Sequence, residues 1–178
     1  MTGPRLGPAN GITLVLGGMA SGKSRHAVEL ACELGVDGVT FLATARIGDP
    51  ELDRRIARHR DDRPSSWETL EAADDLAGSI HSVAPDRLLL VDSLGLWVAT
   101  AFDGDKPIDA AWPPLERAIR ARTSGVVLVS DEVGFSPVAL TEIGRRFVDA
   151  LGWTNQRAAE LADEVRLVIA GLPIVLKP

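Results

Sequence analysis

The chain carries one cysteine, Cys32, so it forms no intrachain disulfide and fits a reducing cytoplasm better than an oxidising compartment. Inside a helical segment, a lone thiol of this kind is expected to serve as a small core residue. No uninterrupted apolar run approaches the roughly 18 residues that suggest a membrane span. Excess basic charge is missing too: 19 Lys and Arg against 25 Asp and Glu leave a formal charge of −6. General affinity for nucleic acid or an anionic membrane depends on neutralising phosphates and is therefore not expected, so any basic site must be local. Residues 1–11, with Gly3, Pro4, Gly7, Pro8 and Gly11, have neither the apolar core nor the cleavage pattern of a secretion signal and read as a flexible tail. Internal repeats, low-complexity tracts and interdomain linkers are likewise absent from the sequence. Residues 12–178 are thus expected to form one domain, long enough to bury a core without metal or disulfide support.

What the chain does have is Gly17-Gly18-Met19-Ala20-Ser21-Gly22-Lys23-Ser24, which fits G-x-x-x-x-G-K-[ST]. The β-branched and apolar run 12–16 precedes it, and Ala27, Leu30, Ala31 and Leu34 recur at helical spacing behind it. Strand, glycine-rich turn and helix in that order form a phosphate cradle. Successive N–H groups and the helix N-terminus point at an anion, Lys23 adds a mobile cation near the β and γ oxygens, and the Ser24 hydroxyl offers a ligand to Mg²⁺. A nucleoside triphosphate is the expected occupant.

Further buried strands are expected at 38–43, 87–92 and 126–130, with a short one at 67–70. Helices are expected at 50–60, opened by Asp49 and Pro50, and at 72–80, 94–102 and 114–122. A long helical tract from about 141 to 162 has Gly152 as its weak point, and strands at 165–170 and 174–176 close the chain as a hairpin around Gly171 and Pro173. Strands that are apolar at every position and alternate with helices imply an α/β fold, a mainly parallel sheet covered on both faces.

Two further features bear on chemistry. Asp92 ends an apolar strand, where a P-loop protein places the acid that holds Mg²⁺ or its water; a cap on the following helix is the structural alternative. Arginines 54, 55, 58, 60 and 63 concentrate five of the nineteen basic residues around His59. These charges form either a solvated helix face paired with Asp53, Asp61 and Asp62, or a second phosphate site. In the second case Arg55, His59 and Arg63 share a helix face, and the guanidinium charges hold the imidazole neutral, able to attack phosphorus. The same arginines would stabilise the charge of the phosphoryl-type transition state. His26 and His81 have no such surroundings in the sequence and are expected to be structural.

Together, Leu-Val-Leu-Gly-Gly-Met-Ala-Ser-Gly-Lys-Ser-Arg-His at 14–26, Leu-Ala-Thr-Ala at 42–45, Arg-Ile-Ala-Arg-His-Arg-Asp-Asp-Arg-Pro at 55–64, Trp67 to Glu71 and Val-Asp-Ser-Leu-Gly-Leu-Trp at 91–97 resemble one family. Glu-Val-Gly at 132–134, Gly-Arg-Arg-Phe at 144–147, Gly152 to Gln156, Ala-Asp-Glu-Val at 162–165 and Ala-Gly-Leu-Pro at 170–173 extend the likeness. It is the bifunctional adenosylcobinamide kinase/adenosylcobinamide-phosphate guanylyltransferase family of cobalamin biosynthesis.

The resemblance implies a single-domain, RecA-like P-loop NTPase fold, assembled as a homo-oligomer, often a trimer, and two activities on one corrinoid substrate. ATP or GTP first phosphorylates the aminopropanol hydroxyl of adenosylcobinamide. His59 then takes GMP from GTP, releasing pyrophosphate, and passes it to adenosylcobinamide phosphate to give adenosylcobinamide-GDP. Carried over by position, the nucleotide site comprises Gly17, Gly18, Met19, Ala20, Ser21, Gly22, Lys23 and Ser24, then Thr44, Ala45, Arg46, Arg60, Asp61, Asp62, Arg63, Glu71 and Asp92. Lys23 and His59 are the catalytic residues, and Ser24 and Asp92 hold Mg²⁺. The chain departs from the family pattern at Asp131, where an asparagine is common, and across Phe135 to Ala139. Asp131 and Glu132 would either alter corrinoid or metal contacts or act as a local acidic helix cap. Two other readings stay open: a simpler small-molecule kinase in which His59 belongs to a phosphate-organising lid, and a nucleotide-dependent switch, for which the sequence offers no partner-binding tail.

Overall fold

Neighbouring residues in a strand point to opposite faces of a sheet, so a run that is apolar at every position needs cover on both sides. In Leu88–Asp92, Leu88 and Leu90 join a cluster with Val15, Ala27, Leu30, Phe41 and Val129, whereas Leu89 and Val91 join another with Leu14, Leu42, Leu94 and Leu128. The same division runs through the inner strands, with Leu14 against Val15, Leu42 against Phe41 and Leu128 against Val129, so that alternate residues of one apolar tract serve two cores. The computed structural model describes residues 10–35, 38–44, 64–72, 75–104, 106–135 and 137–178.

The elements in chain order are β1 (Ile12–Gly17), α1 (Lys23–Leu34), β2 (Val39–Ala43), β3 (Glu68–Glu71), α2 (Leu76–Ser82) and β4 (Leu88–Asp92). They continue with α3 (Leu94–Asp103), α4 (Ile108–Arg120), β5 (Val126–Asp131), α5 (Glu142–Leu161), β6 (Glu164–Ile169) and β7 (Leu172–Lys177). The seven strands lie in the order β3-β2-β4-β5-β1-β6-β7. Every pairing is parallel except β6 with β7. Among the described residues α1 covers one face, through Ala27, Leu30 and Ala31, while α2 to α5 supply the other with Leu76, Leu94, Trp112 and Leu151.

The strands fall where the sequence puts them, within a residue or two, and the helices differ more. The helix expected at 50–60 lies outside the described residues, as do residues 1–9 of the expected tail. Helix α2 starts at Leu76, not Ala72, because the Asp75 carboxylate accepts from the Gly78 N–H and caps it. Helix α4 starts at Ile108, well before Pro114, and takes Pro113 and Pro114 into its body. Interior prolines sacrifice helical hydrogen bonds. Here burial of Trp112, Leu115, Ala118 and Ile119 on one helical stripe outweighs that loss. Helix α5 passes through Gly152 unbroken, held by Leu151, Thr154 and Ala158 on its buried side. The closing hairpin turns at Ala170 and Gly171, both at positive φ, and Pro173 belongs to β7, an edge strand where its missing N–H is tolerated. Cys32 is exposed, contrary to its expected place in the core: one residue past buried Ala31, it rotates out to the solvent side of α1.

Trp112 ties the helical layer together. Its ring meets Trp97 at 6.5 Å and Trp153 at 6.4 Å between centroids, and its indole N–H donates to Glu116 Oε2 at 2.9 Å. Replacing it with alanine, W112A, is expected to cost about 3–5 kcal/mol by the ordinary scale for large-to-small core changes. Urea unfolding checks this, and a loss below about 1 kcal/mol would show that the three tryptophans do not anchor this layer.

Candidate nucleotide-binding site

Parallel register gathers the strand ends. Gly17 stands opposite Asp131 and Val168, Ala43 opposite Asp92 and Glu71. All of these belong to the carboxyl edge of the sheet, where open α/β sheets bind ligands. One strand, β5, separates β1 from the β4 strand that ends in Asp92.

The loop 17–24 turns sharply off β1. A Cβ on Gly17 would stand 2.4 Å from Ser21 Oγ and 2.9 Å from the Val168 carbonyl, so the side-chain-free residue is what lets the loop fold back on itself. Gly22 occupies the left-handed region at φ 93° and precedes α1 with no side-chain cap on that helix. The N–H groups of a first helical turn have no intrahelical partners. The Lys23 N–H is held by Ser21 Oγ at 3.3 Å, and the rest of the turn presents the positive end of the helix dipole to the loop's concavity.

From the far side the closing hairpin supports the loop. The Gly171 N–H donates to the Ser21 carbonyl at 2.8 Å, and a Cβ on Gly22 would lie 3.2 Å from Gly171 Cα. Sequence reasoning placed a turn at Gly171 but missed this contact; the turn residues were visible, while the adjacency of β6 to β1 was not.

Lys23 reaches back across the loop to Asp131, with Nζ 2.6 Å from Oδ1 and 3.4 Å from the Gly18 carbonyl. The lysine side chain is 12% exposed and the aspartate 35%. Asn155 on α5 donates to the Asp131 carbonyl at 2.9 Å and accepts from the Ser130 hydroxyl at 2.6 Å, pinning the end of β5. Glu132 takes the N–H groups of Gly134 and Phe135 at 2.8 and 3.1 Å. The two acids thus separate: Glu132 caps a turn, not a helix, and Asp131 faces the phosphate loop.

Thr44 is buried, and its hydroxyl donates to the Ser93 carbonyl and accepts from the Ser93 N–H, both at 2.7 Å. It clips the end of β2 to the β4–α3 junction, beside Asp92. Glu71 is exposed at the end of edge strand β3. Ala45, Arg46, His59, Arg60, Asp61, Asp62 and Arg63 lie outside the described residues; the chain leaves the described region at Thr44, on the carboxyl edge.

His26 does have an arginine beside it, unlike the sequence expectation. Buried Arg166 places Nη1 3.2 Å from His26 Nε2 while its Nε donates to Glu164 Oε1 at 2.8 Å. Desolvation first, and then the Arg166 charge, hold the imidazole below its ordinary value, outweighing nearby Glu29, Glu33 and Glu164. A neutral ring with its proton on Nδ1 satisfies this geometry: Nε2 accepts from Arg166, and Nδ1 faces Glu29 at 3.9 Å.

Comparison with known proteins identifies the family and the fold. A profile of the family described as "Cobinamide kinase / cobinamide phosphate guanyltransferase" matches residues 13–176. The chain is similar to the "Bifunctional adenosylcobalamin biosynthesis protein CobP" of Pseudomonas aeruginosa, at 44% identity over 92% of this chain and 96% of that protein. It is also similar to the "Bifunctional adenosylcobalamin biosynthesis protein CobU" of Escherichia coli, at 35% identity over 92% of this chain and 98% of that one. Among solved structures it resembles a type III secretion system ATPase of pathogenic bacteria, with TM-score 0.59 and 12% identity over 93% of this chain and 58% of the other. The flagellar accessory protein FlaH of Methanocaldococcus jannaschii matches with TM-score 0.53 and 12% identity over 94% and 78% of the two chains. Those structures share the P-loop NTPase fold with this chain and establish nothing beyond the fold.

The depressed imidazole makes a pH prediction. Below its ordinary value near 6.5 the unfolded chain takes up the His26 proton more readily than the folded one. The stability contributed by the neutral ring is therefore complete above that value and is lost as pH falls through it towards the folded value. Thermal melts between about pH 7.5 and 5.5 should show a steeper fall for the native chain than for His26→Gln. Parallel curves would contradict it.

Proposed function

The chain belongs to the cobinamide kinase / cobinamide phosphate guanyltransferase family, and from that premise we propose how its residues divide the work. It is a bifunctional enzyme of cobalamin biosynthesis, a kinase and a guanylyltransferase in one chain. The nucleotide-binding catalytic unit is assigned to residues 12–178, with 1–11 as a tail. The observation that carries the site assignment is the uncapped N-terminus of α1 opening from a glycine loop at the carboxyl edge of a parallel sheet. An uncapped helix N-terminus next to a lysine suits a triphosphate, ATP or GTP, because the helix end is aimed before the anion arrives.

In the kinase step, loop residues Gly17 to Ser24 grip the β and γ phosphates and Lys23 offsets charge that builds on the transferred group. The hydroxyl oxygen of adenosylcobinamide's aminopropanol arm attacks the γ-phosphorus, the bond to the β-phosphate oxygen breaks, and the hydroxyl proton is released. In the second step the His59 ring nitrogen attacks the α-phosphorus of GTP and pyrophosphate departs. The phosphate oxygen of adenosylcobinamide phosphate then attacks the same phosphorus, the P–N bond breaks, and adenosylcobinamide-GDP forms. Covalent relay through histidine lets one site serve an acceptor that arrives after pyrophosphate leaves. Thr44, Ala45, Arg46, Arg60, Asp61, Asp62, Arg63 and Glu71 complete the nucleotide site in this reading, the arginines against phosphate or ribose and Glu71 against ribose or guanine.

Mg²⁺ fits the donors at this edge. Ser24 in the first turn of α1 and Asp92 at the end of β4 offer one hydroxyl and one carboxylate. No group of three or more His, Cys, Asp or Glu that could hold a metal occurs among the described residues. A sparse all-oxygen set suits Mg²⁺, which is bound by one or two carboxylates together with substrate phosphates and water. When bound, the ion would withdraw charge from the triphosphate oxygens.

Self-association through the β7 edge is part of the same proposal. Leu172, Ile174, Val175 and Leu176 are exposed on this last strand, next to Ile169 on β6. An open apolar edge invites pairing with a second copy. Among the described residues no helix is long and apolar enough to cross a membrane.

Two measurements test the reading. GTP radiolabelled at the α-phosphorus should mark the native chain through an acid-labile, alkali-stable bond, and His59→Ala should abolish the label while still making phosphorylated corrinoid. A fully labelled His59→Ala chain would remove His59 from the covalent role. Light scattering should find an oligomer, expected to be a trimer, that a charge at Ile174 or Leu176 weakens; a monomer at every concentration would overturn the edge assignment.

A further inference from the structure

We propose that Asp131 is a positioning residue that competes with the triphosphate for Lys23, so that this chain binds nucleotide by breaking an ion pair of its own and depends on a divalent cation to do so tightly. The inference rests on the reading that nucleotide occupies the 17–24 loop.

The Lys23 ammonium is already committed, at 2.6 Å from Asp131 Oδ1. A phosphate seated on the loop amides needs that ammonium, and it brings negative charge beside the carboxylate that holds it. One of the two partners must yield, and the structure decides which. Asp131 ends β5, with its backbone registered against Gly17, and the Glu132 N–H next to it donates to the Gly17 carbonyl at 3.0 Å. Asn155 fixes the Asp131 carbonyl from the other side. The second carboxylate oxygen packs against α3: a Cβ on Gly95 would lie 2.7 Å from Oδ2. The aspartate is therefore fixed through its backbone on both sides and touched by α3 at one oxygen, although its side chain stays 35% exposed, whereas Lys23 is a long, many-rotamer chain on a helix's first turn.

Once Lys23 turns to the triphosphate, the carboxylate stays behind as an uncompensated charge near the phosphates. Like charges at such a partly buried site repel more strongly than in bulk water. A divalent cation held by Ser24 and Asp92 would supply positive charge that offsets this penalty, and a neutral side chain at 131 would remove it without metal.

The test measures affinity, not turnover. A non-hydrolysable GTP analogue is titrated calorimetrically into the native chain and into Asp131→Asn, once with EDTA and once with excess Mg²⁺. Without metal, D131N is expected to bind at least about ten-fold more tightly, a difference of roughly 1.4 kcal/mol. With Mg²⁺ the two proteins should agree within about three-fold. Equal or weaker metal-free binding by D131N overturns the proposal, as does a gap of the same size with and without Mg²⁺. Asp131→Ala, which removes the carboxylate without an amide in its place, should move metal-free affinity the same way and decides the matter if D131N does not fold. If the native chain ignores the analogue in both buffers, the nucleotide site itself fails; if it binds in both and the variants bind identically, only the role of Asp131 does.

Discussion

The parallel pairing of β1 with β5 on one side and β6 on the other is the constraint from which the site follows. It places Gly17 between Asp131 and Val168, so the loop that leaves β1 is confined on both flanks before any ligand arrives. Glycine is needed at 17 because the Val168 carbonyl and Ser21 occupy the space of a side chain. The β6–β7 turn adds a third support through Gly171. A loop held this way spends little ordering entropy on binding, which is what makes backbone N–H groups effective anion ligands.

The same edge brings together charges that oppose one another. Asp92, Asp131 and Glu71 end three strands there in a chain of net charge −6, at the edge where a polyanionic nucleotide is proposed to bind. Three acids here are placed differently: Asp131 meets Lys23, Glu132 is consumed by a turn, and Asp92 sits beside the Thr44–Ser93 clip. The arginine-rich tract 54–63 follows Thr44 in sequence, and it is the largest local reserve of positive charge in the molecule. An acidic protein can thus recognise phosphate by concentrating its cations and its aimed amides, with no need for a basic surface overall.

Much of the fold was legible because its signals are local. Continuous apolar runs announced doubly covered strands, and Gly17 to Ser24 announced a strand, loop and helix. Helix limits were less legible where tertiary packing overrode local preference. Trp112 draws Pro113 and Pro114 into α4, and Asp75 delays α2. Cys32 shows the finer limit, since a residue's neighbour can be wholly buried while the residue itself faces water.

By itself the sequence determined that this is an α/β chain with a phosphate loop, and its motif order identified the family, because those properties reside in composition, period and spacing along one segment at a time. Only the tertiary structure decided that Asp131 would hold Lys23, that Gly171 would buttress Ser21 and Gly22, and that His26 would share a buried niche with Arg166. Those contacts join residues far apart in the chain, and strand order brings them together. No local pattern records which strand becomes whose neighbour; burial of the whole sheet selects that arrangement at once.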